Sequence, residues 1–128
     1  MKILVVEPGK IPKTTDIPGS LEAMQAIVGG VIQAIYPFAE SVALICHEEG
    51  KLLNLSYNRC LCHPESGEVY DIVSGTFFLC HAPPDSDRFE SLTPEQMEHY
   101  TQHFQFPELF LRTAQGIVIL KNIWRNES

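Results

Sequence analysis

Positive charge is scarce in this sequence. Nine Lys and Arg stand against 16 Asp and Glu, a formal net charge of −7 and a pI near 5.1. Proteins that track a nucleic-acid backbone use Lys and Arg to release its counterions. Direct nucleic-acid binding is therefore not expected, and a partner with a basic surface is. Long apolar runs are missing as well, so no membrane span is expected. The opening MKILVVEPGK breaks at Glu7, Pro8 and Gly9 after a very short apolar run, unlike a signal peptide. These absences point to the cytoplasm, where four cysteines stay reduced thiols. Catalytic signatures are also absent: no G-x-S-x-G elbow, no P-loop, no G-x-G-x-x-G fingerprint and no C-x-x-C knuckle.

What is present suffices for one core, since 45% of the 128 residues are apolar. Lys2 to Val6 reads as a first strand, and KIPKTTDIPGS as loop. Ser20 caps a helix carrying Leu21, Met24, Ile27 and Val28, which Gly29-Gly30 ends. VIQAIYPF is a strand with both faces partly covered. SVALICHEEGKLLNLSYN reads as a hairpin: a strand from Val42 to Cys46, a turn on Glu48-Glu49-Gly50, and a return through Leu52, Leu53 and Leu55. VYDIVSGTFFLCH supplies one or two strands, with Gly75 marking a bulge or a close backbone approach. Thr93 and Pro94 start a second helix with Met97, Tyr100 and Phe104 as its buried stripe, and FPELFL adds a further helical turn. Ile117 to Leu120 and Trp124 either pack a terminal strand on the core or form the surface of a homodimer. The expected fold is a single α+β domain over residues 1–128, a mainly antiparallel sheet with two principal helices.

The richest chemistry lies in NRCLCH at 58–63. In a zinc reading, Cys60 and Cys62 are thiolate ligands and His63 or Cys80, with His47 or Cys46, completes a tetrahedron. Residues two apart on a strand face the same side, so both sulfurs could reach one ion. The competing and favoured reading makes the cysteines small core hydrophobes, Cys46 and Cys80 above all, since both sit in apolar runs. His99 and His103 lie four apart on the second helix but lack the H-E-x-x-H order, and read as solvated. Asn58 and Arg59 also have two readings. Asn58 takes a left-handed turn and Arg59 pairs with a nearby carboxylate, or the Arg59 fork binds a carboxylate or phosphate of a ligand or partner. Glu48 and Glu49 read as turn polarity that a partner could meet.

Several words of the sequence, VVEPGK, LEAMQAIVGGVIQAIYPF, CHEEGKL, YNRCL and IVSGTFF, resemble a bacterial and phage family, domain-of-unknown-function thirty-eight forty-six. The resemblance runs in order from about residue 2 to 110, leaving 111–128 as an extension. The matching positions are Glu7, Pro8, Gly9, Gly29, Gly30, Glu48, Glu49, Gly50, Asn58, Arg59, Gly75 and Phe77; Cys60, Cys62 and Cys80 are not part of the pattern. Members occur in phages, prophages and conjugative elements, which implies an accessory protein of a mobile element inside a bacterial host cell. The resemblance carries no reaction. The leading expectation is a non-enzymatic protein that binds a host or element protein, such as a CRISPR effector with a basic nucleic-acid channel. The alternative is a domain that binds a small ligand, a nucleotide or zinc.

Overall fold

Alternation in the first five-residue strand sets the architecture. In β1 (Lys2–Val6) Ile3 and Val5 face one side while Leu4 and Val6 face the other, and all four are buried. A strand buried on both faces must lie inside a sheet that is covered twice. The computed structural model describes residues 1–121. After β1 come β2 (Lys13–Asp16), α1 (Leu21–Val28), β3 (Ile32–Ile35), β4 (Val42–His47), β5 (Tyr57–Cys62), β6 (Val69–Ser74), β7 (Phe77–His81), α2 (Pro94–His103), β8 (Leu109–Thr113) and β9 (Gly116–Leu120). The central sheet has the order β2-β1-β7-β4-β3 and every pairing in it is antiparallel. The fold is α+β, built on antiparallel strands. Two further hairpins, β5-β6 and β8-β9, stand outside the central sheet.

Each face of the sheet has its own cover. Ile3, Val5, Ala43, Ile45, Phe78 and Cys80 meet Met24 and Val28 of α1. On the opposite face, Leu4, Val6, Leu44, Cys46, Phe77 and Leu79 meet α2 through Tyr100 and Phe104, and the β5-β6 hairpin through Leu61 and Val73. Both helices have sequence-encoded starts. The Ser20 hydroxyl accepts from Ala23 N at 3.2 Å, and Gly29 ends α1 at φ +85°. Thr93 and Gln96 form a reciprocal capping box around α2, with Pro94 in its first turn.

Three expected elements differ. KTTD is β2, not loop; it has no apolar pattern and takes its order from pairing with β1. The return arm at 52–55 is not a strand. Bonds from Leu53 N to Glu49 O, Asn54 N to Lys51 O and Leu55 N to Gly50 O wind residues 49–55 into a tight turn, leaving Leu52 80% exposed. The strand that does return is β5, and it pairs with β6 rather than with β4. FPELFL continues into β8 instead of α2, because Pro107 cannot supply a helical N–H and disfavours helix in the residue before it. Trp124 lies outside the described residues. The Ile117–Leu120 run is β9, whose described pairing is with β8.

Gly75, in the turn between β6 and β7, has φ +85°, and a Cβ there would come within 2.8 Å of Leu55 Cδ1. The close neighbour is thus the Leu55 side chain and not another stretch of backbone. Gly75→Ala should destabilise the protein by about 1–3 kcal/mol, from strain plus overpacking. Urea unfolding monitored by circular dichroism measures this, and an unchanged midpoint would contradict the packing described.

Candidate functional site

The Asn58-Arg59 pair lies at the centre of the molecule. Both residues sit in β5 and both are 0% exposed. The Asn58 side-chain amide donates to Val6 O and to Gly75 O, each at 2.8 Å. Arg59 Nη1 donates to Asn58 Oδ1 at 2.9 Å. Arg59 Nη2 donates to Lys10 O at 2.7 Å and to Phe104 O at 3.0 Å, and Nε reaches the same Phe104 carbonyl at 3.3 Å. The guanidinium fork therefore ties together the loop after β1, the strand β5 and the end of α2. Phe104 is the C-cap of α2, so the cation meets the negative end of that helix. Desolvation lowers the Arg59 pKa, and Glu108 nearby opposes that shift.

These contacts revise the residue-level expectations. Asn58 is strand, and among the described residues the non-glycine residue with positive φ is Asn54, at 55°. Arg59 hydrogen-bonds to backbone carbonyls in place of a carboxylate, and its fork points inward, with no surface open to a partner's phosphate. Glu48 and Glu49 are exposed at the end of β4, with Glu49 N donating to His47 Nδ1 at 2.9 Å. His47 in turn packs against Gly30, where a Cβ would meet its Nε2 at 2.4 Å. The His47 ring can lie this close to the Gly30 backbone because residue 30 has no side chain.

The four cysteines divide. Cys46 and Cys80 are buried on opposite faces of the central sheet. Cys60 and Cys62 are neighbours, with their Sγ atoms 3.8 Å apart. His63 is next to them in sequence, but its ring stacks on Tyr70 at 4.6 Å. Cys80 belongs to the α1 side of the sheet and is not brought to the pair. Among the described residues, no three or more His, Cys, Asp or Glu side chains gather as a metal-holding group. The zinc set Cys60, Cys62, His63 and Cys80 is thus not assembled in this arrangement: β7 carries Cys80 to the α1 side, and the His63 ring is turned onto Tyr70. Burial pushes the Cys80 thiol up to about 12. Burial, then Glu108, does the same to Cys60, also to about 12.

Two of the clefts along β5-β6 bring polar and aromatic side chains together. One, about 690 Å³, is lined by Lys51, Tyr57, Tyr70, Asp71 and Arg112 among others. The Arg112 guanidinium lies 5.6 Å over the Tyr57 ring, and Nη2 donates to its hydroxyl at 3.2 Å. Lys51 and Asp71 form an ion pair across the same cleft. The second, about 530 Å³, lies between Phe38, Glu40, His63 and the α2 residues His99, Tyr100 and His103. Desolvation, and then His99, lowers the His103 pKa, although the residue as a whole is exposed. Tyr100 donates to Glu40 Oε1 at 2.6 Å, and desolvation raises its pKa. Sequence reasoning missed the first cleft, because Lys51, Tyr70 and Arg112 come from three separate elements.

The β8-β9 hairpin is the third surface feature. Leu109, Leu111, Ile117, Val118 and Leu120 each remain 36–44% exposed on a two-stranded ribbon. Among the described residues no helix is long and apolar enough to cross a membrane.

The class of protein is set by this arrangement: an antiparallel α+β domain held by a buried Asn-Arg pair. The chain belongs to the DUF3846 family, described as a domain of unknown function, whose model matches residues 1–105. All the motif positions from Glu7 to Phe77 fall within that span, whereas the β8-β9 hairpin lies beyond it. Comparison with curated proteins gives no match, and comparison with solved structures gives none.

Two outcomes follow from these geometries. Arg59→Ala leaves the Lys10 and Phe104 carbonyls and Asn58 Oδ1 buried without their donor, so urea unfolding should show a loss of about 3 kcal/mol or more. Arg59→Lys should recover only part of it, because one ammonium cannot span the fork; full recovery would overturn the assignment. The second concerns pH. Cys80 ionises near 9.0 when unfolded and near 12 when folded. Above 9.0 the unfolded chain therefore holds fewer protons, so stability should fall as pH rises through that window. Cys80→Ala should flatten the decline, as read from melting temperature against pH; an identical slope would contradict the burial effect.

Proposed function

We propose that this protein acts by binding a protein partner, as an accessory protein of a mobile genetic element in the cytoplasm of a bacterial host. The observation that carries the reading is the β8-β9 hairpin. Two-stranded ribbons are marginal alone in water, and edge strands expose unpaired backbone groups that a partner strand can meet. This ribbon adds four exposed large apolar side chains on one face, Leu109, Leu111, Val118 and Leu120, while Ile117 lies on the other face opposite Arg112, the one charged residue between Leu109 and Leu120. Such a patch is characteristic of an interaction surface.

The net charge of −7 favours a partner with a basic surface, and a nucleic-acid-binding effector of a host defence system, CRISPR effectors included, has that chemistry. In this reading the acidic surface steers the encounter and the ribbon holds the complex. Val118→Glu combined with Leu111→Glu should weaken binding to such an effector at least about tenfold, mostly through faster dissociation. Added salt should slow association of the unmodified protein. Biosensor kinetics test both. Binding indifferent to salt and to the hairpin variant would contradict the proposal.

A second reading rests on the 690 Å³ cleft, where two tyrosine rings and the cations Lys51 and Arg112 converge. Rings and cations together suit a nucleotide. A nucleotide that raises the melting temperature of the unmodified protein but not of Arg112→Ala would favour it over partner binding.

A further inference from the structure

Cys60 and Cys62 are two residues apart on β5, where the pairing with β6 shifts register between Leu61 and Cys62. That irregularity accompanies a sulfur-sulfur separation of 3.8 Å, within van der Waals contact. The two thiols are not equivalent. Cys60 is buried, and its backbone N–H donates to Glu108 Oε1 at 2.9 Å. Cys62 is half-buried, with the Lys121 ammonium 3.4 Å from its sulfur. Both open onto one cleft of about 420 Å³, with Gln102, His103, Glu108 and Lys121 around it. An accessible thiol beside a cation, backed by a second thiol in contact, is the arrangement that attacks and then resolves a mixed disulfide.

We propose that Cys60 and Cys62 form a redox-active dithiol that reacts with small aliphatic disulfides of the glutathione class. Cys62 loses its proton to solvent, and Lys121 stabilises the thiolate. The thiolate attacks one sulfur of the small disulfide; a bond forms between Cys62 Sγ and that sulfur, and the other half leaves as a thiolate that takes a proton from solvent. Cys60 then attacks Cys62 Sγ as the Glu108 carboxylate takes its proton, and the second small thiolate leaves and receives that proton. Two protein thiols are oxidised, and one small disulfide is reduced to two thiols. Burial holds Cys60 protonated until this second step, which makes Cys62 the entry point.

The reaction has a structural consequence. Glu108 immediately precedes β8 and Lys121 immediately follows β9, so both stems of the hairpin are tied to the dithiol. Closing the disulfide removes the Cys62 thiol that Lys121 contacts. The inference does not depend on partner binding, and its test makes no use of a partner.

The test incubates the full chain with oxidised glutathione and reads intact mass and peptide maps. The unmodified protein should lose two hydrogens, keep no adduct and show a Cys60–Cys62 bridge. Cys60→Ser should instead accumulate glutathione on Cys62, and Cys62→Ser should stay unreacted at Cys60. Lys121→Ala should slow the first step several-fold, and hydrogen exchange in β8-β9 should quicken on oxidation. A stable adduct on Cys62 of the unmodified protein, or four unreacted thiols under conditions where iodoacetamide labels Cys62, would overturn the proposal. Because the mapped bridge is read on unmodified protein, a variant that fails to fold leaves the test intact.

Discussion

A positively charged side chain with no exposed surface sits where four segments of the chain meet, and the rest of the fold is arranged to tolerate it. Taking a guanidinium out of water costs several kcal/mol unless its donors are met. Arg59 meets that cost with carbonyl oxygens: Lys10 from the loop after β1, Phe104 from the end of α2, and Asn58 beside it. Asn58 spends its own amide on Val6 and Gly75. The pair therefore fixes where β5 lies against β1, against the β6-β7 turn and against α2. If any of these segments moves, a buried polar group loses its partner.

This constraint explains why the β5-β6 hairpin can cover the central sheet without hydrogen-bonding to it as a sixth strand. Its Leu61 and Val73 fill the apolar layer beneath α2, while Asn58 and Arg59 supply the polar attachment. The same segment then continues outward to Cys60 and Cys62, which hold Glu108 and Lys121 at the base of the β8-β9 hairpin. A rigid interior strand thus leads directly to the most exposed apolar element. The proposed binding surface and the proposed dithiol are both positioned by the buried pair.

What could be read from the sequence was local. The short β-branched run of β1 ended by Pro8-Gly9, the Ser20 and Thr93 caps, the Gly29 stop and the Met97-Tyr100-Phe104 stripe all depend on residues within a few positions of one another. They placed two helices and an antiparallel α+β fold. β2 was not legible because KTTD is a polar edge strand ordered by β1. Leu52, Leu53 and Leu55 looked like a strand by composition, yet a turn closed by backbone bonds holds them. Asn58-Arg59 stood out as a motif, but its role did not, since its acceptors Val6, Phe104 and Lys10 lie 52, 45 and 49 residues away. The nearness of Cys60 to Cys62 was legible from strand geometry. The distance to Cys80 was not, because it depends on which face of the central sheet β7 turns that residue to.

Native-state hydrogen exchange tests the central claim most directly. If Asn58 and Arg59 lock the segments together, the amides of β5, of Gly75 and of Phe104 should exchange only through global unfolding, with one shared free energy and denaturant dependence. Exchange of the end of α2, or of the β6-β7 turn, through independent local openings well below the global value would contradict it.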